Sequence, residues 1–277
     1  MLRPVDLSAR MDLARSVALE AGRILMSHLG HLDRVDQKTP RDLVTAADRD
    51  SEALIAARIR AAFPADALCM EESDGKEGAQ RRRASIEAAP FAWCIDPLDG
   101  TTNFVHGYPV FAVSIGLLEH GRAVGGVIHA PARNETYVGG RGVPAERIDV
   151  TGRAPMAVSK NERLADSLFG VGFSPGKDQL NDATLELVRA LLRQAQDVRR
   201  AGAAALDLCD VAAGRIDGFL QTDLGPWDLA AGVAIVEAAG GQVSRHDGAH
   251  HSVFAPDTVA TNGRVHTALL SLVQEVR

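Results

Sequence analysis

Apolar residues recur at helical spacing from the start of the chain. Leu13, Val17, Ile24 and Leu25 predict a helix over residues 7–29. Lys38-Thr39-Pro40 reads as a breaker. Leu54, Ile55 and Ile59 then mark the buried stripe of a second helix over 45–63, which Pro64 stops. There the period changes. Residues 67–70 and 91–95 predict short buried strands, each running into acidic residues. The stretch between them, EESDGKEGAQRRRAS, is polar throughout and predicts a mobile surface loop. Residues 112–118 and 123–129, joined by Glu119-His120-Gly121, predict a hairpin. The Gly-, Pro- and Arg-rich stretch 139–155 predicts a domain boundary. Beyond it, helical segments (182–194, 203–213, 228–239, 264–276) alternate with short strands (197–199, 216–221, 258–261), an α/β pattern. The expected division is an N-terminal α+β half, 1–145, carrying acidic motifs, and a C-terminal α/β half, 146–277, completing the site.

Composition narrows the field. The chain has 277 residues, 46% hydrophobic, enough to bury a sizeable core and to exclude global disorder. No apolar run approaches the ~20 residues of a membrane-spanning helix. With 4% aromatic residues, a stacking platform for single-stranded nucleic acid is not expected. Thirty basic residues against 36 acidic give a net charge of -6, which repels phosphate backbones and makes direct nucleic-acid binding unlikely on charge alone. A small phosphate ester stays open, provided a metal or other local positive charge meets it. Cys69, Cys94 and Cys209 lack paired spacing, which argues against a disulfide framework or a structural zinc site. Asp12, Arg15 and Glu20 interrupt the stretch where a signal peptide would be apolar, so a cytoplasmic protein is expected.

Four acidic clusters sit at predicted element ends. In Trp93-Cys94-Ile95-Asp96-Pro97-Leu98-Asp99-Gly100-Thr101-Thr102 a strand ends in Asp96, Pro97 fixes the backbone, and Asp99 follows. Two carboxylates and the Leu98 carbonyl can then face one site, a hard-oxygen donor set that suits Mg²⁺. Gly100, Thr101 and Thr102 offer N–H groups and hydroxyls to an anion. A plain strand-to-helix turn explains the same residues. Glu71-Glu72 after an apolar strand also reads as a solvated loop. Thr45 and Asp48 within DLVTAAD read equally as helix caps, as does Asp228 in WDLAAG.

Together these segments are more specific than any one alone. MEES, IDPLDGTTNF and WDLAAGVAIVEAAGG, preceded by DLVTAAD, resemble the inositol monophosphatase family over residues 42–241. The resemblance implies a layered αβαβα sandwich, usually dimeric, with lithium-sensitive, Mg²⁺-dependent phosphomonoesterase activity on inositol 1-phosphate or a related polyol or sugar phosphate. It implies two or three Mg²⁺ ions held by Glu71, Asp96, the Leu98 carbonyl, Asp99 and Asp228, with Asp96 bridging. Glu71 and Thr101, the latter supported by Asp48, would orient the attacking water. Gly100, Thr101 and Thr102 would hold phosphate oxygens, with Ala204, Gln221 and Asp228 on the substrate side. The alternatives are fructose 1,6-bisphosphate or histidinol phosphate as substrate, or a mainly regulatory protein that binds the transcription machinery, as some bacterial relatives do.

The chain departs from the family pattern in places. Gln221 stands where the family has a glutamate against substrate hydroxyls, and Ala203 where threonine is frequent. Gly140 to Arg147 replaces the usual GxGA…NG segment, and Lys38 is offset by one from the family's loop lysine. Gly170 to Lys177 looks like a phosphate loop, but its glycine spacing is wrong and it reads as a turn. His250-His251 reads as a surface pair and Arg81-Arg82-Arg83 as a solvated face.

Overall fold

The computed structural model describes residues 4–31, 35–39, 42–173 and 182–276. Helix α1 (Pro4–His28) packs along α2 (Ala46–Ala62). Between them β1 (Val35–Thr39) and β2 (Asp42–Thr45) pair antiparallel, so Lys38 and Thr39 end a strand rather than break a pattern. The Lys38 side chain lies outside the described residues. Thr45 caps α2: its hydroxyl accepts the Ala47 N–H at 3.1 Å, and Asp48 accepts the Thr45 N–H at 2.8 Å.

The first sheet has seven strands in chain order: β3 (Ala67–Met70), β4 (Ala92–Asp99), β5 (Ala112–Glu119), β6 (Arg122–Ala130), β7 (Glu135–Gly140), β8 (Val143–Asp149) and β9 (Gly152–Pro155). β3 and β4 run parallel, joined by helix α3 (Glu71–Ala88), and the later pairs are antiparallel. Its central strands are apolar on both faces because both faces are covered. Along β4, Trp93 and Ile95 join the α1–α2 side while Ala92 and Cys94 join the opposite side; along β5, Val113, Ile115 and Leu117 oppose Ala112 and Leu118. The short helix α4 (Thr101–Val105) follows β4.

The second sheet comprises β10 (Leu168–Val171), β11 (Asp197–Arg199), β12 (Gly218–Thr222), β13 (Gln242–Ser244) and β14 (Asp257–Thr261), in the order β11-β10-β12-β14-β13. β10, β11 and β12 are parallel. Helices α5 (Asp182–Gln194) and α8 (His266–Glu275) cover its outer face, where Leu187, Leu191, Leu269 and Leu272 join Phe169 and Val259. Helices α6 (Ala204–Ala212) and α7 (Pro226–Ala238) lie between the two sheets. The layers are α1–α2, seven strands, α6–α7, five strands and α5–α8, the expected αβαβα sandwich. α7 rests almost on the sheet backbone: a Cβ at Gly116 would stand 2.5 Å from the Ala230 Cβ, and one at Gly126 2.3 Å from the Ala231 carbonyl oxygen.

Three expectations need correction. The segment read as a mobile loop is helix α3, kinked at Gly75 with φ 61°. It buries only Gly78, Ala79 and Ile86, which is why no apolar period announced it, and pairs such as Arg83–Glu87 at 2.8 Å support its exposed side. The boundary stretch 139–155 is sheet: an expected division between residues 145 and 146 falls inside β8. Gly139 and Gly140 make room for close packing, since a Cβ at Gly140 would lie 2.4 Å from the Val124 carbonyl oxygen, while Gly142 and Gly152 turn the chain between strands at φ 74° and 121°. His251 is not a surface residue. It is buried, its Nε2 lies 3.0 Å from the Thr258 hydroxyl, and burial first, then His250, push its pKa down to about 4. Arg81, Arg82 and Arg83 do form a solvated face, paired with Glu77, Asp74 and Glu87. In the phosphate-loop look-alike, Gly170 and Val171 belong to β10, and 174–177 lie outside the described residues.

Candidate active site

The acidic motifs converge where β3 and β4 end and α7 begins. Pairing of β4 with β5 shifts register between Asp96 and Asp99, the irregularity expected where Pro97 withholds a ladder donor. Both aspartates are buried. Asp96 Oδ1 accepts the Leu98 N–H at 2.9 Å, and Asp99 Oδ2 accepts the Ala205 N–H at 2.8 Å, tying β4 to the first turn of α6. Asp228, in the first turn of α7, accepts the Gly225 N–H at 2.6 Å. One oxygen each from Asp96, Asp99 and Asp228 lies within 4.8 Å of the others. Glu71, the first residue of α3, stands at hydrogen-bonding distance from Asp96.

The electrostatics follow from that crowding. Asp96 is held well above the usual carboxylate range, by burial first and then by the charges of Glu71, Asp99 and Asp228. Asp99 is raised by burial and then by Asp228. Asp228 is pushed up to about 7 by burial and then by Glu71, against the opposing pull of the Gly225 N–H and Lys76. Carboxylates packed this closely repel one another, and an all-oxygen donor set fits a hard divalent cation such as Mg²⁺. The Leu98 carbonyl borders the set and accepts the Thr101 hydroxyl at 3.1 Å; that hydroxyl also lies 3.3 Å from Asp48 Oδ1. Asp48 thus caps a helix and supports Thr101 at once.

Gly100 precedes α4 with φ 87°, and a Cβ there would meet the Val110 carbonyl oxygen at 2.8 Å and the Ala203 Cβ at 3.2 Å. Glycine is therefore required twice over, by conformation and by space. Thr102 is exposed on α4, and Ala204 opens α6 beside the Ala205 contact to Asp99. Gln221 lies further out, half-buried on β12, its amide oxygen laid over Gly172 at the end of β10, where a glycine Cβ would overlap it at 1.5 Å. The structure thus brings Asp96, Asp99 and Asp228 together, with Glu71 against Asp96 and Thr101 against Asp48, while Gln221 stands apart at the carboxyl end of β12.

Three side chains escaped the sequence reading. Glu52 on α2 is buried and accepts the Glu72 N–H at 2.8 Å and the Ser73 hydroxyl. It shares a helical stripe with Asp48, Ile55 and Ile59, a spacing that does not by itself distinguish a buried glutamate from a solvated one. Ser51 on the same helix donates to the Pro97 carbonyl at 3.1 Å. Lys76, just past the α3 kink, reaches Asp223 across 147 residues, donating to its carbonyl at 2.5 Å and lying 3.1 Å from its carboxylate. Asp223 itself has φ 59°.

Comparison with known proteins bears on the family and the fold. The model of the inositol monophosphatase family matches residues 6–277. A Nus factor SuhB of Pseudomonas aeruginosa is 40% identical over 268 residues, covering 95% of each chain. An inositol-1-monophosphatase of Synechocystis is 39% identical over 267 residues, covering 96% of this chain and 89% of its own. The structure of an inositol monophosphatase from Anabaena (Nostoc) superposes with a TM-score of 0.85 at 38% identity, covering 98% of both chains.

Proposed function

The chain belongs to the inositol monophosphatase family, and on that premise we propose that it is a Mg²⁺-dependent phosphomonoesterase acting on inositol 1-phosphate or a related polyol or sugar phosphate. The observation that carries the reading is the convergence of Asp96, Asp99 and Asp228 oxygens within 4.8 Å, with Glu71 against Asp96. Glu71, Asp96, the Leu98 carbonyl, Asp99 and Asp228 would hold the two or three Mg²⁺ ions that the resemblance implies. When bound, the ions lower the pKa of water, neutralise the phosphate and stabilise the leaving oxygen.

The protein's own groups do the rest. Thr101 is positioned by Asp48 and the Leu98 carbonyl, so its oxygen lone pairs are directed outward to accept a hydrogen bond from water. Glu71 accepts the second. Two acceptors fix the water's hydrogens and turn its remaining lone pair toward phosphorus, and Glu71 takes the proton as the bond forms. The N–H groups of Gly100, Thr101 and Thr102 and the Thr102 hydroxyl hold phosphate oxygens, while Ala204 and Gln221 border the polyol and Asp228 supports both substrate and metal. Lithium would compete at a Mg²⁺ position. We read the working protein as cytoplasmic and as a homodimer, the latter supported by the apolar side chains of Leu185 and Leu192 on the outer face of α5, 50% and 58% exposed.

Phosphate release from inositol 1-phosphate, fructose 1,6-bisphosphate, histidinol phosphate and 2-glycerophosphate, with and without Mg²⁺, tests the reading. Metal-dependent turnover of at least one is expected, and none across the panel would refute it. A second reading, a regulatory partner of the transcription machinery, is favoured by the Nus factor name of the 40% identical relative. If an Asp99→Asn variant kept the whole cellular effect, that second reading would account for the effect and catalysis would not.

A further inference from the structure

Asp48, Ser51 and Glu52 form a polar strip on the otherwise apolar inner side of α2, with exposures of 0, 0 and 5%. Burying three polar side chains on one helical face is costly unless each is bonded. Beyond the cap that Asp48 makes with Thr45, each of the three bonds a segment of the active site. Asp48 meets the Thr101 hydroxyl, Ser51 the Pro97 carbonyl, and Glu52 the Glu72 N–H and the Ser73 hydroxyl. One rigid helix therefore grips the turn at 97–101 and the start of α3 together. Its two carboxylates stand four residues apart, about one 5.4 Å pitch along the axis.

The start of α3 needs such a grip. Met70 precedes the helix and offers no oxygen to cap it, and Gly75 leaves helical geometry only five residues in. The turn that carries Glu71 is thus short and its N–H groups lack an intrahelical partner. Asp74 closes part of it by accepting the Met70 N–H at 3.0 Å. Glu52 adds the Glu72 N–H and the Ser73 hydroxyl from outside, a buried anion set at the positive end of the turn.

We propose that Glu52 is a positioning residue for the hydrolytic reaction: through the Glu72 N–H and the Ser73 hydroxyl it fixes the first turn of α3, so that Glu71 stands against Asp96 and across from Thr101. The inference rests on the reading of Glu71 and Thr101 as the pair that orients water. Glu52 touches neither substrate nor metal, and it acts only through the backbone it holds.

The test compares wild type with Glu52→Gln, which keeps the shape and one acceptor but loses the charge, and with Ser73→Ala, an exposed position where alanine favours the helix. Turnover of inositol 1-phosphate gives kcat and KM, calorimetry without substrate gives Mg²⁺ affinity, and Tm reports folding. Glu52→Gln should lower kcat roughly 10-fold or more and weaken Mg²⁺ binding several-fold, with KM within about twofold, as expected when the partner behind a ligand is lost. Ser73→Ala should shift kcat and Mg²⁺ affinity in the same direction, by about two- to fivefold, at an unchanged Tm. A merely structural role would lower Tm and leave kcat per folded molecule and Mg²⁺ affinity alone, and that result in both variants overturns the proposal. If wild type itself released no phosphate, the phosphatase reading would fall. Mg²⁺ affinity would then decide the role of Glu52 by itself, an unchanged value in both variants overturning it.

Discussion

Gln221 stands on β12 where the family resemblance implies a glutamate, and that exchange is testable. A glutamate accepts two charge-assisted hydrogen bonds from vicinal hydroxyls, whereas an amide offers one acceptor and one donor group. Gln221→Glu should therefore tighten polyol recognition by roughly 1–2 kcal/mol, about tenfold in KM, and hardly alter kcat. Kinetics on inositol 1-phosphate and 2-glycerophosphate read this directly: an unchanged kcat/KM ratio between the two would remove Gln221 from the pocket. Asp207 on α6 supplies a pH dependence. Burial, then Asp210, push its carboxyl up to about 8, against Arg200 and Arg133. A carboxyl that prefers its neutral form when folded stabilises the protein below about pH 4, and that stability drains away as pH rises toward 8. The slope is at most about 1.4 kcal/mol per pH unit. Asp207→Asn should flatten the fall in Tm between pH 6 and 8.5, and parallel curves for both proteins would refute the assignment. The cluster of Asp96, Asp99 and Asp228 was legible through the family motifs, since each aspartate taken alone reads equally as a turn or a helix cap. Glu52 was not, because a glutamate in a helix usually faces water and only its partners show that this one does not.

At the scale of elements, periodicity found what burial imposes. α2, α5, β3 and β11 sit where their apolar stripes or runs placed them, and β4 extends further because Asp96 to Asp99 continue the strand across an irregular register. α3 was missed for the converse reason: it is held by ion pairs and by Glu52, interactions that leave no apolar rhythm. The glycines of 139–155 were misread as flexible linker because a glycine that makes room and one that bends look alike in sequence. Gly126 shows the difference. Its hydrogen keeps α7 against β6, and α7 carries Asp228. Gly126→Ala should push the helix outward, costing about 1–3 kcal/mol of stability and weakening Mg²⁺ binding although no ligand is changed. Thermal melts with and without Mg²⁺ check this, and an unaltered Mg²⁺-induced shift would show that α7 absorbs the methyl elsewhere.

For the whole molecule, the layered architecture was legible only through the motifs, since the first sheet is tied to the middle helices by contacts between residues more than a hundred positions apart, such as Asp99 with Ala205 and Ser114 with Trp227. The carboxylate cluster is a burden on the metal-free fold, because buried charges of one sign face one another. Asp96→Asn removes one of them while keeping the oxygen that accepts the Leu98 N–H. Metal-free Tm should rise by about 2–4 °C, the shift that about 1 kcal/mol produces in a chain of this size. The Mg²⁺-induced rise in Tm should shrink and kcat should fall by orders of magnitude. Near-normal turnover in this variant would place the metals elsewhere.

The layer formed by α6 and α7 belongs to both sheets. A gene cut between β9 and β10 would give one product with Ala92, Cys94, Ala112, Leu118 and Ile128 laid bare, and another whose α7 had lost the floor beneath Ala230 and Ala231. Neither product would close its interior, and Glu71, Asp96 and Asp99 would part company with Asp228. Recombination that exchanged one half for a distant counterpart would meet the same obstacle at every contact of that middle layer. The two halves must therefore diverge in step, and the reading frame is inherited as an indivisible block.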